Sequence, residues 1–61
     1  MSSDEWQNKI EDLLQFYENQ LTKFEEYIDN NANNPTEAYW MVTGNIGMTK
    51  MIITDLEEVL K

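Results

Sequence analysis

From Trp6 to Ile28 the apolar residues recur in steps of four, three, four, four, three and four: Trp6, Ile10, Leu13, Tyr17, Leu21, Phe24 and Ile28. Such steps hold one side of a helix apolar, and no Gly or Pro interrupts residues 4–29. In heptad terms Ile10, Tyr17 and Phe24 share position a, Trp6, Leu13 and Tyr27 share d, and Leu14, Leu21 and Ile28 share e. Gln20 is the polar d position. The pattern predicts a helix over residues 4–29 with an apolar face three positions wide. A frayed start is expected over Met1 to Ser3, with Ser3 as N-cap and Asp4 and Glu5 in the first turn, where carboxylates favour the positive helix end.

Residues 30–34 are rich in Asn, whose side chain competes for backbone hydrogen bonds, and predict a loop. Pro35 bars the residue before it from the helical region. The spacing predicts a second helix over 35–60, with Asn34 as N-cap, Pro35 at N1 and Glu37 at N3 in a capping-box arrangement. Its seam runs Tyr39, Val42, Ile46, Thr49, Ile53, Leu56 and Leu60, in alternating steps of three and four. Ala38, Ile52 and Val59 flank it.

The first half of that helix carries a second apolar surface. Trp40, Gly44, Gly47 and Met51 recur in steps of four, three and four away from the seam, with Met41 and Met48 beside them. Each helical Gly costs about 1 kcal/mol relative to Ala. Three readings are open for the glycines. They admit another backbone, with Trp and Met packed round the contact. They mark a kink or break. Or they are tolerated defects on a solvent face. Met on a binding surface can re-pack against irregular partners.

These elements predict an all-α fold: one domain over 1–61, an antiparallel helical hairpin. Both helices present more apolar width than a two-helix contact covers. Pairing two hairpins as a homodimeric four-helix bundle would bury the surplus. A three-helix chain broken near Gly44–Gly47 is the structural alternative. The length of 61 residues sharpens the point, because a chain this short has a marginal core unless disulfides, metals or association help. Cys and His are both absent, so association is what remains.

Charge narrows the partners. Twelve acidic residues face four lysines and no arginine, for a net charge of −8. Phosphate and anionic lipid repel such a chain, so neither direct nucleic-acid binding nor membrane binding is expected; a basic protein surface would attract it. Apolar runs are too short for a membrane span, and the N-terminus has no signal-peptide pattern. A cytoplasmic protein is expected. On the first helix the acids form two edges: Asp4, Glu11, Glu18 and Glu25 at position b, and Glu5, Asp12 and Glu26 at position c. Identical heptad positions lie roughly 10.5 Å apart. The plain reading is a solvated face, with Glu5 and Lys9 as a favourable i,i+4 pair. The sharper one is imitation of a nucleic-acid backbone.

Candidate chemistry is sparse. Without His or Cys there is no ready base or nucleophile, and no phosphate-binding or nucleophile-elbow motif occurs. Asp29, Asn31 and Asn33 match the first ligand positions of a calcium loop, but Asn34 and Trp40 stand where Gly and Glu are needed. No cofactor or metal is expected. The expected function is non-enzymatic: a small acidic protein-binding module, a regulator or inhibitor of a larger protein, with Trp40, Met41, Gly44, Gly47, Met48 and Met51 as the partner-binding face. The alternatives are a DNA mimic acting through the acidic edges, and a self-assembling structural subunit.

Overall fold

Two helices account for nearly all of the computed structural model, which describes residues 3–61. Helix α1 spans Ser3–Asn31 and helix α2 spans Glu37–Leu60, and the two pack against each other as a hairpin. The hairpin extends 49 × 14 × 14 Å. Its radius of gyration is 14.5 Å, against about 10–11 Å for a compact domain of this length. Among the described residues no helix is long and apolar enough to cross a membrane.

Both helix boundaries depart from the expected 4–29 and 35–60. α1 runs on to Asn31 because Asn31 Nδ2 donates to the Tyr27 carbonyl at 2.8 Å, and its own carbonyl accepts the Asn34 N–H at 3.2 Å. The Asn side chain thus supports the last turn instead of ending it. At the other end of the loop, Thr36 is the N-cap of α2, not Asn34. Thr36 has extended backbone (φ −111°, ψ 179°), its Oγ1 accepts the Tyr39 N–H at 3.4 Å, and its carbonyl accepts the Trp40 N–H at 3.3 Å. Pro35 therefore precedes the cap, and Glu37 stands at N1, where its charge still meets the positive helix end. At the start of α1, Ser3 is already helical; its capping side chain, with Met1 and Ser2, lies outside the described residues.

The α1 seam also differs from the expected stripe. Its partly buried positions include Ile10, Leu14, Tyr17, Leu21, Phe24, Ile28 and Asn31, in steps of four, three, four, three, four and three, with Gln20 and Tyr27 partly buried on the edge beside them. Leu14 replaces Leu13, which is 45% exposed, and Trp6 stands at the rim at 42%. Facing them on α2 are Tyr39, Val42, Ile46, Thr49, Ile53, Leu56 and Leu60. Thr49 is the one buried residue among those described, and no apolar side chain there is fully enclosed. α2 is continuous through Gly44 and Gly47, with ordinary helical backbone at both, so neither a break nor a third helix forms. The accessible surface is 4775 Å², about 600 Å² above the ~4,200 Å² expected of a globular chain of this mass.

Candidate interaction surfaces

The register of the two seams divides the rest of the hairpin into faces. On one side of the contact, α1 contributes two heptad columns: Trp6, Leu13, Gln20 and Tyr27 next to the seam, and Lys9, Phe16 and Lys23 beyond it. α2 contributes Asn45, Ile52 and Val59, then Met41, Met48 and Asp55. These columns meet in an open groove of about 360 Å³ lined by Phe16, Tyr17, Gln20, Phe24, Asn45, Met48 and Thr49. Trp6, Leu13, Phe16, Met41, Met48 and Val59 are all large, apolar and exposed. Phe16 also stacks edge-on against Tyr17, with ring centroids 5.3 Å apart. Sequence reasoning passed over Phe16; the signal available was its place three residues beyond Leu13 and four short of Gln20.

The six residues expected to form a partner-binding face lie in three adjoining columns of α2. Met41 and Met48 belong to the groove side. Trp40, Gly44, Gly47 and Met51 form a ridge along the outside of α2, with Trp40 63% and Met51 68% exposed. Trp40 is steadied by an edge-on contact with Tyr39, centroids 4.9 Å apart. Beyond its chain neighbours and the adjoining backbone of its own helix, neither glycine has an atom within 4 Å of where a Cβ would stand. Nothing inside the hairpin requires Gly at either position. Thr43 and Thr54, which flank the ridge, donate their hydroxyls to the carbonyls of Tyr39 and Lys50 at 3.0 Å each.

The acidic residues of α1 lie off the groove columns. Asp4, Glu5, Glu11, Asp12, Glu18, Glu25 and Glu26 are all exposed. The Glu11, Glu18 and Glu25 column flanks the seam on the side opposite the groove, facing Thr43, Lys50 and Glu57 of α2. Among the described residues the one ion pair is Lys61 Nζ with Glu58 Oε1 at 3.1 Å, fully at the surface. The Glu5–Lys9 spacing does not close into a pair. No group of three or more Asp or Glu among those residues is placed to hold a metal ion.

No protein-family model, no curated protein and no solved structure matches the chain.

Proposed function

We propose that this protein is a non-enzymatic, cytoplasmic protein-binding module that regulates or inhibits a larger protein, and that it works as a homodimeric four-helix bundle. The observation carrying this reading is an imbalance. No apolar side chain is fully buried among the described residues, while Trp6, Leu13, Phe16, Trp40, Met41, Met48, Met51 and Val59 stand exposed. Apolar surface on this scale, rimmed by charge, is typical of an interaction site. The outer ridge is the part that engages the larger protein. Trp and Met offer a large and adaptable contact, and the bare backbone at Gly44 and Gly47 lets a partner come close.

The test is capture of the partner by wild type and by a Trp40→Ala/Met51→Ala variant, with circular dichroism on both. Lost capture with helicity intact supports the ridge as the binding site. Unchanged capture, or collapse of helicity, overturns it.

A second reading is a DNA mimic occupying a nucleic-acid-binding site. It draws on the Glu11, Glu18 and Glu25 column, which is exposed and free of any ion pair among the described residues. That reading requires partner binding to weaken steeply with salt and to fail when Glu11, Glu18 and Glu25 become Gln.

A further inference from the structure

Two surfaces compete to be the dimer interface: the groove side and the outer ridge. We propose that the groove side is covered by the same face of a second copy, with Phe16 and Met48 of each hairpin at its centre. This rests on the dimer reading above and specifies how the copies meet.

Charge selects the face. Two copies at −8 each repel one another. The groove columns carry only Lys9, Lys23 and Asp55, so their formal sum is two minus one, or +1. All other acids of residues 4–29 lie off those columns. Face-to-face pairing through the groove keeps Glu11, Glu18 and Glu25 on the outside of the bundle, so the acidic column of one copy does not meet that of the other. The ridge columns carry Glu37, Glu58 and Lys61, a formal sum of one minus two, or −1, with Glu58 and Lys61 already paired to each other.

Area points the same way. The hairpin is 49 Å long, and two packed helices are about 20 Å across. The outline of the groove side is therefore roughly 1,000 Å² per copy, enough to hold the ~800 Å² per partner of a standard specific interface. The ridge is a single strip one helix wide and spans residues 40–51, too narrow to supply that area. Burying the groove side also gives Phe16, Leu13 and Trp6 the enclosure that α2 alone leaves incomplete.

The chain has no cysteine, so a single label site can be introduced cleanly. Met48 and Lys50 lie two residues apart on α2 but on opposite sides of the hairpin. Spin labels on a Met48→Cys variant should lie within roughly 20 Å of each other across the dimer, and on a Lys50→Cys variant beyond roughly 30 Å, from helix diameters and interaxial spacing. In parallel, Phe16→Asp should weaken self-association at least tenfold, while Met51→Asp leaves it unchanged. Close Lys50 labels with distant Met48 labels would overturn the groove assignment and leave the dimer standing. A monomer at every concentration would overturn both.

Discussion

Phe16 on α1 and Met48 on α2 line the same groove, yet both remain more than half exposed. The fold brings two large apolar side chains together and leaves both in water, and this is the relationship on which the proposed groove-side pairing rests. The consequences reach the seam, the caps, the glycines and the charge.

In the seam, Leu14 is packed and Leu13 is not. In a Phe16→Asp background, chosen to block the proposed self-association, Leu14→Ala is expected to cost roughly 2 kcal/mol, at the low end for a Leu truncation because the site is only partly enclosed. Leu13→Ala in the same background should cost well under that. Urea unfolding followed by circular dichroism measures both, and equal costs would contradict the seam register.

Thr36, and not Asn34, caps α2. Thr36→Ala should therefore destabilise the protein by about 1 kcal/mol, the usual loss for an N-cap. Asn34→Ala should change stability by only a few tenths. A reversed order in thermal melts would return the cap to Asn34.

Both glycines sit in helical backbone with open space around them. Gly44→Ala and Gly47→Ala should each stabilise the helix by about 1 kcal/mol, raising Tm by about 4–8 °C per substitution in a chain of this size. If the glycines seat a partner's backbone, the same variants lose partner capture while gaining stability. A gain in stability with full capture would leave the glycines without a binding role.

Each copy carries a charge of −8. Raising ionic strength shortens the screening length from about 30 Å at 0.01 M to about 10 Å at 0.1 M. Self-association should tighten over that range, because like-charge repulsion between copies is what salt removes. Binding of a basic partner by the acidic columns would weaken over the same range. Titrating both in one salt series separates the apolar reading from the DNA-mimic reading.

The seam of α2 was legible because its steps of three and four run the whole way from Tyr39 to Leu60, whereas the series through Trp40 and Met51 turns polar at Thr54 and Glu58. α1 was ambiguous for the opposite reason. Ile10, Leu13, Leu14, Phe16 and Tyr17 cover so much of its circumference that two neighbouring stripes were available. Which one faces α2 is decided by the partner helix, not by local periodicity. The cap was misplaced because Asn34 and Thr36 are both good capping residues two positions apart. Pro35 favours extended backbone before it, and this is compatible with either. The candidate face around Trp40 follows from helical spacing; Met41 and Met48 lie at its edge nearest α1, where Met48 also lines the groove beside Phe16, and Trp40 and Met51 lie further out.

The most direct measurement is native mass by light scattering after gel filtration, across a wide range of concentration. One copy weighs 7.3 kDa. A mass of twice that value, persisting on dilution and lost in Phe16→Asp, is the expected result. A mass of one copy at every concentration would contradict it, since the groove side would then stand open with no second copy to cover it.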